Sequence, residues 1–315
     1  MADYSEFHDE LKSVAADLLA KERAVDWAMI ADAGWCGLEV PEHLGGSGAT
    51  FAETAVICEE MGRAASASSF LGSAVLAAGA LNAVQPSDTR DRLLAEVAAG
   101  TTRVAVVVDR FDFVADAEGA DTVLVVADDG VSEATTVTIT PQPVVDETRR
   151  LARVAVERSS AVLGFADDSA ARRLRDRAAV AVACDSLGVA EAMLAATVSY
   201  VKVRHQFDRP IGSFQAVKHA CADMHVAIAV SRQLVAAAVA AVAEKRADAA
   251  VAAAMAKSHA CSTAVDVAGK AMQLHGGIGY TWESGIHVYL KRAALNRSLF
   301  GSPAAHRHEL AQRYR

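Results

Sequence analysis

Two segments in the C-terminal half of this 315-residue chain set polar anchors beside glycines. The first runs Arg204-His205-Gln206-Phe207-Asp208-Arg209-Pro210-Ile211-Gly212-Ser213-Phe214-Gln215; the second runs Gln273-Leu274-His275-Gly276-Gly277-Ile278-Gly279-Tyr280-Thr281-Trp282-Glu283. A guanidinium such as Arg204 offers charge-assisted hydrogen bonds to phosphate oxygens, and Gln215 and Gln273 add neutral donors and acceptors. Gly276 and Gly277 let backbone amides approach a ligand closely. Together these suit a phosphate-bearing cofactor. Either feature alone reads more readily as an ordinary surface arginine or a helix-capping glycine, so the reading rests on their joint occurrence.

As patterns, the two segments resemble those of the acyl-CoA dehydrogenase family, where R-x-x-F-G-x-x-I-x-x-F-Q and Q-x-x-G-G-x-G-Y/F grip the ADP half of FAD across a subunit boundary. The resemblance implies that Arg204, Gln206, Phe207, Gln215, Gln273, Leu274, His275, Gly276 and Gly277 bind FAD. His205 and His275 occupy variable positions and receive no chemistry of their own, while Phe207 and Phe214 suit a core as well as a cofactor contact. Asp208 stands where the family usually has Gly. Further stretches resemble the family too: Gly37 to Gly48, with its PE-x-x-GG-x-G pattern, then Glu59-Glu60-Met61-Gly62-Arg63, and Asp185 to Ala192 leading through Tyr200 into the arginine motif.

Desaturating an acyl-CoA needs a carboxylate to remove the α-proton while the β-hydrogen leaves as hydride to the flavin. The family places that Glu either in a Y-E-G-T stretch after the glycine motif or on the helix ahead of the arginine motif. By family spacing the first position falls at Phe300, followed by Gly301-Ser302, and the second near Ala178. Neither carries an acid. Asp185 lies about two turns along from Ala178, roughly 10 Å of rise, and Asp176 and Glu191 are expected to point elsewhere. No catalytic residue is therefore assigned.

The centre of the chain departs from the family in the same sense. The T-E-P-x-x-G-S-D loop and W-I-T/S segment that hold the flavin ring have no counterpart in Val104 to Phe113, and no Trp lies between Trp35 and Trp282. The resemblance then implies a subunit that supplies the ADP-binding half of a FAD site, its unlike partner supplying the Glu, the ring pocket and most of the acyl-CoA contacts. It is similar to the short non-catalytic subunit of actinobacterial heteromeric α2β2 dehydrogenases acting on steroid-derived CoA thioesters, with an electron-transferring flavoprotein as acceptor. A self-sufficient dehydrogenase or oxidase with another base, and a non-enzymatic scaffold of the same fold, are the alternatives.

The elements that must position these motifs read as helix, sheet, helix. From Tyr4 to about Ala99 apolar residues recur at three and four positions, broken by Gly45-Gly46 and Pro86-Ser87-Asp88. From Gly100 to Ser160 come short β-branched runs, Val104–Val108, Thr122–Val126, Thr135–Ile139 and Val154–Val156. After Asp167 the helical period returns, with Val217, Cys221, Met224, Ile228, Val235, Val239 and Val242 on one stripe. The expected fold is mainly α with a small central β domain: an N-terminal helical domain over 1–99, a reduced β domain over 100–164, and a C-terminal four-helix bundle over 165–315.

Composition limits the function classes. The formal charge of −8 disfavours nucleic acid, which rewards clustered basic residues. Asp3, Glu6, Asp9 and Glu10 are unlike a signal peptide, and no apolar run looks long enough to span a bilayer, so a cytoplasmic protein without membrane contact is expected. Five scattered cysteines fit reduced thiols, and His306-x-His308 alone suggests no metal site.

Overall fold

The computed structural model describes residues 5–313, so the expected helix start at Tyr4 lies outside the described residues. Five helices come first: α1 (Ser5–Leu19), α2 (Trp27–Asp32), α3 (Phe51–Arg63), α4 (Ala77–Ala83) and α5 (Asp88–Ala98), with a π-helical turn over Leu71–Leu76 running into α4. Helix α3 opens on a capping box: the Thr50 hydroxyl accepts from the Ala52 amide at 3.1 Å and the Glu53 carboxylate accepts from the Thr50 amide at 2.7 Å. The Pro86-Ser87-Asp88 break is the start of α5, where the Ser87 hydroxyl accepts from the Arg90 amide.

A sheet follows, built from β1 (Val104–Val107), β2 (Val114–Ala115), β3 (Thr122–Val126), β4 (Gly130–Gln142), β5 (Leu151–Ser159) and β6 (Leu163–Gly164). The order is β1-β3-β4-β5-β2, with β6 also paired to β4; β1 and β3 run parallel and the other pairs antiparallel. β4 and β5 extend well past the β-branched runs that mark them in sequence. They do so as a two-stranded ribbon, exposed over much of its length, held by backbone pairing from Val137↔Val156 to Gln142↔Leu151, which demands little of side-chain type.

The spine of the molecule is α6 (Ala170–Val203), whose residues 177–190 are buried throughout. It packs on α3 so closely that a Cβ at Gly188 would lie 1.9 Å from the Glu59 carbonyl, and one at Gly62 the same distance from the Asp185 carbonyl. After α6 come the short strands β7 (His205–Gln206) and β8 (Arg209–Pro210), then α7 (Gln215–Ala243), α8 (Ala249–His275), α9 (Ile286–Ser298) and α10 (Pro303–Gln312).

One buried charge network ties the parts together. Arg292 on α9 forks onto Asp185 of α6 at 2.9 and 2.5 Å, and Arg149 from the loop before β5 reaches the same carboxylate at 2.9 Å. Asn296 donates to Asp185 at 2.6 Å, and Arg292 also donates to the Ser66 carbonyl and the Thr148 hydroxyl.

The sequence expectation on bilayer-length stretches is corrected here. α6 and α7 each carry a stretch long and apolar enough, by length and composition, to cross a membrane. In α6 that stretch is 78% buried inside the protein, as a core helix requires, whereas in α7 only 28% is. Beyond Asp223 the only formal charge in α7 is Arg232, so Val226 and Val230 stand exposed on a largely uncharged face.

Candidate functional site

The arginine motif folds as a hook on the end of α6. Arg204 closes the helix with extended backbone (φ −76°, ψ 120°), and β7 and β8 pair as a minimal hairpin. Its two turn residues, Phe207 and Asp208, have φ of +53° and +61°, the left-handed pair of a type I′ turn. That geometry explains why Gly is usual at position 208 and why Asp, among the non-glycine residues that tolerate it best, can replace it. Phe207 meets Phe214 edge-on at 6.1 Å, and the Arg209 guanidinium lies 4.0 Å from the Phe214 ring centroid. Phe207 is 85% exposed, which removes it from the core.

Arg204, Gln206 and Gln215 are exposed, and Arg204 has no ion-pair partner among the described residues. Gln215 opens α7, whose first turn has no side-chain cap, so free amides and the positive end of the helix dipole sit beside the arginine hook.

The glycine motif ends α8. Gly276 adopts φ +62°, ψ −142°, a conformation that only glycine takes without strain, and turns the chain into a 3-10 segment over Gly276–Tyr280. Gln273, Gly276 and Gly277 face outward, and around Gly276 and Gly277 a side chain would meet open space. Leu274 is half-buried against the core. The His275 imidazole is buried, with Nδ1 2.8 Å from the Ala271 carbonyl and its ring stacked on Tyr200 at 4.3 Å. The Tyr200 hydroxyl donates to the His275 carbonyl at 3.3 Å, so the two motifs are held by one contact between α6 and α8. Ile278, Tyr280 and Trp282 stand exposed beside them.

The acid positions lie elsewhere. Ala178 is fully buried on α6. Phe300 has φ +51° in the turn joining α9 to α10. That turn is fixed from two sides: His306 Nε2 lies 2.9 Å from the Phe300 carbonyl, and the buried Lys257 ammonium donates to the carbonyls of Gly301 and Asn296 at 2.9 and 3.0 Å. Burial pushes the Lys257 pKa down. Asp185 is spent on Arg292 and Arg149, and Glu191 is held between Arg63 and Arg232. Asp176 lines the same cavity as Phe300 and Gly301, a cavity Ala178 does not line, and burial raises its carboxyl to about 6.

Sequence reasoning did not single out Arg292, Arg149, Asn296 or Lys257. Each occupies an unremarkable place in a helix or loop, and only its distant partners bury it. Among the described residues no cluster of His, Cys, Asp or Glu could hold a metal ion, and all five cysteines are free thiols.

The outward Arg204, Gln215, Gln273 and Gly276-Gly277 suit the ADP portion of a FAD; after β1 the chain goes through Asp109–Phe113, with Asp109 bound to Arg175 at 2.5 Å.

Comparison with known proteins agrees with this fold. The model of the acyl-CoA dehydrogenase N-terminal domain matches residues 5–101 and that of the C-terminal domain matches residues 169–314. The acyl-CoA dehydrogenase IpdE2 of Mycobacterium tuberculosis is 38% identical over 289 residues, covering 90% of this chain and 86% of its own. A variant of the Tcur3481-Tcur3483 steroid ACAD superposes with a TM-score of 0.87 at 25% identity, covering 98% of both chains. A chain of the ChsE4-ChsE5 complex from Mycobacterium tuberculosis shares the fold with a TM-score of 0.86 at 23% identity, over 97% of this chain and 96% of that one. By family model, identity and fold, this chain belongs to the acyl-CoA dehydrogenases, the family whose cofactor is FAD.

Proposed function

We propose that this chain is one subunit of a heteromeric acyl-CoA dehydrogenase that desaturates a bulky, steroid-derived CoA thioester in the cytoplasm. FAD supplies the hydride acceptor when bound. This chain's part is to hold the ADP portion across a subunit boundary, through Arg204, Gln206, Gln215, Gln273 and the backbone at Gly276-Gly277, while an unlike partner supplies the Glu and the ring pocket. An α2β2 assembly and an electron-transferring flavoprotein as acceptor complete the reading.

The observation that carries it is the split in the geometry. The phosphate-binding residues face outward beside exposed Phe207, Tyr280 and Trp282, on a molecule whose α7 leaves a largely apolar face uncovered. The two positions where the family keeps its acid hold a buried alanine and a phenylalanine. The steroid part is supported by the likeness to the Tcur3481-Tcur3483 steroid ACAD.

Replacing Arg204 by Ala in the assembled complex tests it. Loss of a charge-assisted contact to pyrophosphate costs about 1.5–3 kcal/mol, so FAD retention should fall by one to two decades with the fold intact. Unchanged FAD affinity would remove Arg204 from the site.

A further inference from the structure

The Leu299–Ser302 turn borders two adjoining cavities that share Phe300 and Gly301. The larger, about 510 Å³, lies between β1, β2 and the end of α9 and is walled by Val106, Val114, Val144, Leu151, Leu295 and Leu299. The smaller, about 230 Å³, lies between α6 and α10 and is edged by Arg172, Asp176, His306 and Glu309. Asp109, Phe300 and Gly301 line both, so the cavities meet at one wall.

Most of the charges here already have partners. Asp109 takes Arg175, Arg172 reaches Glu309 at 3.5 Å, and His306 is spent on the Phe300 carbonyl. Two are left. Arg110, on the rim of the larger cavity, has no ion-pair partner among the described residues and leans over Phe113 with its guanidinium 6.0 Å from the ring centroid. Asp176, on the smaller cavity, has neither a hydrogen-bond nor an ion-pair partner among the described residues.

We propose that the joined cavities form a ligand site of this chain's own, which takes an elongated apolar acid bearing a hydroxyl group. The apolar body rests on the valines and leucines, the acid end meets Arg110, and the hydroxyl donates to Asp176 beyond Phe300. The larger chamber has the size and apolar lining of small-molecule sites, with few polar groups to fix orientation. A half-buried carboxyl with no hydrogen-bond partner, helped from a distance by Arg172 and Arg175, has room for a donor, and its place on a cavity fits a ligand. Burial, which lifts Asp176 to about 6, acts against its charged form and is relieved by a donor.

The inference rests on the reading that no flavin ring of this chain fills the larger chamber, and the two fail differently. Isothermal titration of the co-purified complex with deoxycholate below its micellar concentration, with flavin content measured alongside, separates them. Expected is a site whose affinity falls roughly tenfold or more in Leu295→Trp and in Ser298→Trp, because the added indole takes the ligand's volume. Arg110→Ala and Asp176→Ala should each weaken it about five- to tenfold. The Asp176 effect should vanish with cholanic acid, which lacks ring hydroxyls, and flavin content should hold in all four variants. Absence of deoxycholate binding, or binding indifferent to both tryptophans, overturns the inference and leaves the functional reading standing. Flavin lost in both tryptophan variants would place a ring in the chamber and overturn both.

Discussion

Tyr200 lies against His275 with ring centroids 4.3 Å apart and planes 20° from parallel, and its hydroxyl donates to the His275 carbonyl. This contact couples the arginine hook on α6 to the glycine turn on α8. Removing the ring, as in Tyr200→Ala, should cost about 1–2 kcal/mol in FAD binding by letting the two motifs drift apart, whereas Tyr200→Phe keeps the stack and should cost less than half of that. Released FAD measured against melting temperature checks it. If Tyr200→Ala lowers the melting temperature but leaves FAD retention unchanged, the contact only supports the fold.

The motifs were legible in sequence because they use residues whose backbone or charge is hard to replace: Gly276 with its glycine-only conformation, and Arg204 with an exposed guanidinium. Asp208 was visible as a departure, and the left-handed turn explains it. Helical periodicity marked the N-terminal helical stretch and located α7, and β-branched runs located β1 and β3. The ends of β4 and β5 were not legible, since ribbon pairing tolerates Ser, Glu and Arg on its exposed faces. Nor was the setting of Asp176, which depends on how α10 folds back across α6, or the burial of Arg292, which is decided by Asp185 107 residues away.

The Arg292–Asp185 pair governs acid stability. Burial alone would raise the Asp185 pKa, but Arg292 and Arg149 outweigh it and bring the group down to about 2. The folded value lies below the unfolded one, so this carboxylate's contribution is fully present above pH ~4 and is lost as pH falls toward 2; a depression of about two units corresponds to roughly 2.5 kcal/mol. Asp116 and Asp176, both raised to about 6 by burial, act oppositely and relieve strain as pH falls from 6 to 4. Asp185→Asn leaves two buried arginines uncompensated and should cost about 3–5 kcal/mol at pH 7, flattening the loss between pH 4 and 2. Urea midpoints across that range measure it; a variant as stable as the parent would show the network to be dispensable.

Phe300→Glu distinguishes a missing acid from a missing site. A carboxyl there would face the apolar chamber beside Leu299 with a raised pKa, and under the proposed division of the FAD site the hydride acceptor lies in the partner's pocket and not opposite it. FAD content should stay at one per heterodimer, with assembly somewhat weakened. Doubling of the flavin reduced in anaerobic titration with acyl-CoA would mean that this chain is one substitution away from a complete site.

The most direct test of the shared cofactor site is flavin absorbance of this chain purified alone and purified with the unlike acyl-CoA dehydrogenase subunit co-expressed. The account predicts a colourless or insoluble protein alone, and a yellow complex with one FAD per heterodimer that bleaches with its acyl-CoA. A yellow homo-oligomer of this chain that bleaches its own flavin on adding an acyl-CoA would contradict it.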